Sequence, residues 1–207
     1  MSVEGEIRRF RKDLKKARTA SPDEVAKRLP PFECQQCAKC CRGACGDNTV
    51  TLFPAEVRAI MAATGLGWLE VAEPEEDGDV DRYGNRHAFE WALRKKPGGD
   101  CVFLEDGRCT IYEARPWICR TYPFYLDEDL VGHGECDGLG KGERPVAMVP
   151  ELIARRIREL EESIALLERL DMDAGRGKAG LIIVHDSEGS RLVSEKDGQM
   201  TFYRKSR

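Results

Sequence analysis

The chain carries nine cysteines in 207 residues, and five of them fall within residues 34–45. The run reads Cys34-x-x-Cys37-x-x-Cys40-Cys41-x-x-x-Cys45. A two-residue gap lets neighbouring cysteines in a turn reach one ion while backbone N–H groups point at the sulfurs, as in zinc and iron–sulfur sites. The count is odd, the chain is not small, and no export signal precedes the run. These features argue against a disulfide framework and for thiolate ligation of a metal. The three histidines, His87, His133 and His185, stand apart from the run, which favours thiolate ligation over a mixed Cys/His site.

Two familiar spacings do not account for the run. The bacterial ferredoxin pattern C-x2-C-x2-C-x3-C-P, counted from Cys34, puts its fourth ligand at Ala44, with no proline after it. A zinc ribbon needs a second C-x2-C pair, and the sequence has none downstream. Cys40 and Cys41 are adjacent. In extended backbone consecutive side chains point to opposite sides, so the two serve two centres more easily than one. Cys101, Cys109, Cys119 and Cys136 supply four more thiols. Leaving Cys45 aside, eight thiols make two sets of four, which reads as two four-coordinate centres or one multinuclear cluster.

A wider set of motifs follows the same order along the chain. It comprises Phe32-Glu33-Cys34-x-x-Cys37-x-x-Cys40-Cys41-Arg42 and Gly99-Asp100-Cys101-x-Phe103-Leu104. It continues with Cys109-x-Ile111-Tyr112-Glu113-x-Arg115-Pro116-x-x-Cys119-Arg120-x-Tyr122-Pro123-Phe124 and ends at Cys136-x-Gly138. Over roughly residues 32–140 the chain resembles the CxxCxxCC family, the YkgJ-type cysteine-cluster proteins of bacteria and archaea, described as chelating zinc or iron. The resemblance implies metal binding by Cys34, Cys37, Cys40, Cys41, Cys101, Cys109, Cys119 and Cys136. Cys45 is outside the shared pattern and is left out of the ligand set. Ala38 stands where the family often has glycine. Flagellin lysine-N-methylases look similar in the cysteine motif, which keeps an iron–sulfur enzyme, redox or protein-modifying, as the alternative reading.

A tetrathiolate zinc or a four-thiolate 4Fe–4S cluster carries a formal charge of about −2, and burying it needs compensation. Arg115 and Arg120 flank Cys119 and are the candidates for charge compensation or anion binding. Lys39 and Arg108 read as ordinary surface charge. Tyr112, Trp117, Tyr122 and Phe124 read as packing around the cluster, and His133 as a loop residue. There is no P-loop, G-x-S-x-G or HExxH motif, so no catalytic residue is assigned.

The elements that must hold these residues follow from periodicity. Ile7, Phe10, Leu14 and Ala17 predict a basic amphipathic helix over residues 6–18, with seven basic side chains against Glu6 and Asp13. Ser21-Pro22-Asp23-Glu24 is a capping box that starts a short helix to about Leu29. Residues 49–53 alternate like a strand, and Pro54 opens a further helix. A polar loop is expected over 73–85, and a strand over 87–93. Two strands, each starting at a cysteine, are expected from Cys101 and Cys109, joined at Glu105-Asp106-Gly107. Ile153, Ile157, Leu160, Ile164 and Leu167 predict a helix with a coiled-coil-like seam that pairs with the N-terminal helix. Residues 175–180 read as a link, and three short strands follow, around 181–184, Leu192 and Phe202.

The expected architecture is α+β: a small metal-stabilised cysteine-cluster domain with flanking helices and a short C-terminal β appendage. The boundaries are 1–29 for the N-terminal basic amphipathic helices, 30–149 for the cysteine-cluster domain, 150–172 for the amphipathic helix and 180–207 for the β appendage. With 41 % hydrophobic and 34 % charged residues the balance is globular. No apolar run approaches the roughly 20 residues of a membrane helix, so no membrane partner is expected and the chain reads as cytoplasmic. A net charge of −4 and a pI near 5.6 argue against general nucleic-acid affinity. The basic N-terminal helix leaves a nucleic-acid or protein interaction module as a second alternative. The leading function is metal binding, with zinc or an iron–sulfur cluster as cofactor and metal ions as the partners.

Overall fold

A computed structural model describes residues 2–76, 78–127, 130–194 and 199–202. In chain order its helices are α1 (Val3–Arg18), α2 (Pro22–Arg28), α3 (Pro54–Thr64), α4 (Trp68–Val71), α5 (Trp117–Thr121) and α6 (Val149–Arg169). Its strands are β1 (Thr51–Leu52), β2 (Ala72–Pro74), β3 (Arg86–Phe89), β4 (Trp91–Leu93), β5 (Leu104–Glu105), β6 (Arg108–Cys109), β7 (Phe124–Asp127), β8 (Leu130–His133), β9 (Leu181–Asp186), β10 (Gly189–Ser194) and β11 (Met200–Phe202). The fold is α+β, with helices and small sheets. No helix among the described residues is long and apolar enough to cross a membrane.

The chain divides into two compact units, residues 1–48 with 97–161 and residues 49–96 with 162–207. The expected 30–149 segment is therefore interrupted: residues 49–96 belong to the other unit.

The first unit holds all nine cysteines. The hydroxyl of Ser2 caps α1 by accepting from the N–H of Gly5, and Ser21 caps α2 by accepting from Glu24. Its core gathers Val25, Leu29, Phe124, Val149 and Leu152, with Phe32, Leu126, Val131, Leu139 and Ile153 packed against them. Phe32 meets Phe124 edge to face, centroids 5.4 Å apart. The α1–α6 pairing has a contact in the Arg18–Glu161 salt bridge at 2.8 Å. The apolar face of α6 is rotated from the expected seam: Val149, Leu152, Leu160 and Leu166 are buried, and of the five seam residues only Leu160 is.

The second unit contains two sheets, β1-β4-β2 and β11-β10-β9-β3. The continuous strand expected over 87–93 is broken at Glu90, whose φ of 72° is left-handed. The chain thereby leaves one sheet and enters the other. β3 runs parallel to β9 in the larger sheet, while β4 is the central strand of the smaller one. The C-terminal strands are thus not a separate appendage, because they share a sheet with β3. Residues 195–198 and 203–207 of the expected appendage lie outside the described residues.

Sequence reading missed a buried polar line in this unit. Nδ1 of His87 and Nε2 of His185 are 2.8 Å apart, so one holds the proton and the other accepts it. Nδ1 of His185 lies 2.9 Å from the Ser190 hydroxyl, and Nε2 of His87 faces Asp81 at 3.6 Å. Both rings are 1 % exposed. Beside them the buried Arg191–Asp186 pair closes at 2.7 Å, and the Trp91 indole donates to Asp186 at 3.0 Å.

Burial, reinforced by the neighbouring His87, pulls the His185 pKa down from 6.5 to about 4; the carboxylates of Asp171 and Asp186 oppose this more weakly. Above pH 6.5 the group is neutral in both states and its contribution is intact. As pH falls from 6.5 to about 4, the unfolded chain takes up a proton that the folded one refuses. Stability should therefore decline over that window, by on the order of 3 kcal/mol for this group, and level off below it. Denaturation followed from neutral pH to pH 4 should show the decline, and His185→Gln should flatten it.

Candidate metal centre

The residues of the cysteine run form no long element. Two 3-10 turns, Lys39–Cys41 and Gly43–Cys45, carry its second half. Gln36 and Ala38 sit at φ 52° and 57°, the left-handed region. That conformation explains the glycine that the resemblance leads one to expect at position 38.

Backbone contacts tie the run to distant segments at both ends. Before Cys34, Phe32 bridges Leu139, the N–H of Glu33 donates to Gly138 O at 3.1 Å, and that of Gly140 donates to Pro31 O at 2.8 Å. A Cβ on Gly138 would sit 2.3 Å from the Glu33 carbonyl oxygen, so only glycine permits this approach. Lys39 then reaches Asp137 at 2.6 Å. These contacts bring Cys136 to the first part of the run.

At Cys41 the chain is tied elsewhere. Its carbonyl accepts the N–H of Cys101 at 2.8 Å. The Asn48 amide donates to Cys41 O at 3.3 Å and to Gly99 O at 2.9 Å, and Asp100 accepts the N–H of Gly43 at 3.1 Å. A Cβ on Gly43 would meet the Gly99 backbone at 2.7 Å. Beyond Cys101 comes the hairpin β5–β6, turned through Asp106 and Gly107, both at positive φ, the geometry of a two-residue type I′ turn. Its first strand begins at Leu104, later than expected; Cys101 precedes it, and Cys109 pairs with Leu104. Cys119 rides on α5. Arg155 of α6 fastens the end of that helix through the Thr121 hydroxyl at 2.8 Å and the Phe124 carbonyl at 3.3 Å.

None of the nine cysteines forms a disulfide. Cys34, Cys37, Cys40 and Cys45 are exposed; Cys41, Cys101, Cys109, Cys119 and Cys136 are half-buried. The thiols that act electrostatically on Cys136 are Cys37, Cys34 and Cys40, whereas those acting on Cys41 are Cys101, Cys119 and Cys109. The Sγ atoms of Cys40 and Cys41 stand 4.0 Å apart, and this contact raises the Cys40 pKa and lowers that of Cys41. Burial, then the nearby Cys101, Cys40 and Cys109, pushes Cys119 up to about 12. Among the described residues no three or more Cys, His, Asp or Glu side chains close to metal-holding geometry. The eight thiols form a neighbourhood, not a finished shell. As a donor set they suit zinc or an iron–sulfur cluster, and not magnesium or calcium, which prefer oxygen.

The two arginines part company. The Arg115 guanidinium acts on both Cys40 and Cys119, lowering their pKa against the effects that raise them, and it stacks on Tyr112 at 3.3 Å. Arg120 lies over Trp117 at 4.5 Å and pairs with Glu151 at 3.7 Å, with its Nε buried and without a hydrogen bond. His133 ends β8, exposed, its Nδ1 3.3 Å from Gly134 O. Asn48 and Asp100, the side chains that stitch the run to the Cys101 segment, were not singled out by chemistry. Their one signal was adjacency to cysteine motifs.

Residues 33–137 match the model of the CxxCxxCC family, described as a "Putative zinc- or iron-chelating domain". No solved structure matches the chain. The family match spans half of the chain, and the chain belongs to that family.

Two outcomes follow from this geometry. Arg115→Met should weaken metal retention, whereas Arg120→Met should lower the melting temperature and leave metal content unchanged; metal analysis and thermal denaturation of both variants check this. Ala38→Gly should stabilise the fold by roughly 1 kcal/mol by relieving the left-handed strain, read as a shift in denaturation midpoint.

Proposed function

We propose that this member of the family holds zinc or an iron–sulfur cluster through Cys34, Cys37, Cys40, Cys41, Cys101, Cys109, Cys119 and Cys136. The observation that carries the reading is the convergence of remote segments on one short run. Backbone hydrogen bonds from Cys101 to Cys41 and from Glu33 to Gly138 gather thiols from three stretches of sequence. Nothing in apolar packing requires thiols to meet there, and thiolates crowded together repel one another. A bound cation resolves that repulsion and converts binding free energy into folding free energy.

The roles divide among the chain's own residues. The eight thiols supply the soft donors. Arg115 offsets negative charge beside Cys40 and Cys119, and Lys39 with Asp137 pins the turn that presents Cys40. The bound metal or cluster supplies a local positive centre that holds the thiols deprotonated. Cys45 is exposed on the second 3-10 turn, where it neighbours Lys39, and it has no place in the ligand set.

Protein purified without oxygen should contain zinc or iron. Cys45→Ser should keep the wild-type content, while Cys37→Ser and Cys119→Ser should lose metal and solubility. Elemental analysis decides the matter: equal loss in all three variants overturns the eight-ligand set, and a metal-free, folded wild-type chain overturns the function.

A further inference from the structure

We propose that the eight thiols make two centres of unlike accessibility. An outer centre of Cys34, Cys37, Cys40 and Cys136 is open to solvent and exchanges its metal. An inner centre of Cys41, Cys101, Cys109 and Cys119 retains it. The assignment rests on the metal-binding reading above and adds which thiols act together and which metal leaves.

Three observations bear on the division, the backbone first and most directly. The first is the backbone. Residues 31–33 are laced to residues 138–140, which delivers Cys136 to Cys34 and Cys37. Cys41 is laced instead to Cys101, and through the β5–β6 hairpin to Cys109. The second is proximity. Cys136 has Cys34, Cys37 and Cys40 as its thiol neighbours, and Cys41 has Cys40, at 4.0 Å, together with Cys101, Cys109 and Cys119. Cys40 also neighbours Cys119; its exposure and its place beside Cys136 assign it outward, while its chain neighbour Cys41 completes the inner four.

The third observation is exposure. Three of the outer four thiols are exposed, and all of the inner four are half-buried. The hairpin that carries Cys109 is backed by the buried Phe103, Leu104 and Ile111, and the helix that carries Cys119 is fastened by Arg155. The outer thiols hang on loops held by backbone hydrogen bonds and the exposed Lys39–Asp137 pair. Release of a thiolate-bound ion needs access for water or a competing ligand, and the shell around a site controls that access. The outer occupant is therefore an exchangeable soft or borderline cation, with Zn2+ as the probe.

Two glycines allow each centre to be disturbed without removing a thiol. A methyl group at Gly138 separates the Glu33 and Cys136 segments, and one at Gly43 separates the Cys41 and Cys101 segments. The full chain is loaded anaerobically with Zn2+, and release to excess EDTA is followed. We expect about two zinc ions per chain, one leaving about tenfold faster than the other or more. Gly138→Ala should accelerate or abolish the fast step alone, and Gly43→Ala the slow step alone. Cys34→Ser and Cys109→Ser should each remove one zinc, from the fast and slow steps respectively. If any variant misfolds, the wild-type release curve still decides. A single phase, or parallel loss of both ions in every variant, overturns the two-centre assignment and leaves metal binding standing. A wild-type chain that takes up neither Zn2+ nor iron overturns the metal-binding reading itself.

Discussion

Thiols crowd around the Cys40–Cys41 step, where two Sγ atoms lie 4.0 Å apart and Cys101, Cys109 and Cys119 act on Cys41 from other segments. Neutral thiols tolerate this, but thiolates do not: each added negative charge raises the pKa of the next. At Cys119 and Cys136 burial raises the pKa most, and the neighbouring thiols raise it further. A local structure built on repelling groups needs either protons or a cation to hold it. The rest of the first unit serves to keep the thiols close in spite of this.

The means are mostly backbone. Helices α2 and α6 and the core around Phe124 and Leu152 form a frame, and Phe32 and Leu139 belong both to that frame and to the edges of the cysteine loops. From the frame inward, hydrogen bonds replace apolar contacts, and glycine replaces side chains where two backbones touch. Such loops have few buried apolar contacts of their own, and regions of that kind open locally at low free energy. A cation held by these thiols, as proposed, would couple its own binding to the order of the loops.

The parts of this architecture visible in sequence were those with short-range signals. The caps at Ser21 and Pro54, the turn at Asp106 and Gly107, and the period of α6 each announce themselves within a few residues. The cysteine spacing and the motif order disclosed the family. What stayed hidden depends on contacts across long separations. Nothing near Glu90 marks it as the residue that divides one apparent strand between two sheets. The alternation of residues 181–186 marks a strand without disclosing that His185 meets His87. The rotation of the apolar face of α6 away from its heptad seam is set by the core around Val149 and Leu152. Arg115 and Arg120 look equivalent beside Cys119, and only the folded contacts separate them: Arg115 acts on Cys40 and Cys119, and Arg120 faces Glu151.

The interleaving of the two units bears on the order in which the chain can be completed. Ribosomal synthesis runs from the N-terminus, so every residue of the cysteine-bearing unit exists once position 161 has been added. The other unit must wait for the strands beyond position 180. The β3 edge, parallel to a strand nearly a hundred residues later, stays unpaired until then. Long-range parallel pairing is slow because loop closure precedes any reward. All residues of the cysteine-bearing unit are therefore synthesised while the β3 edge still lacks its partner strand.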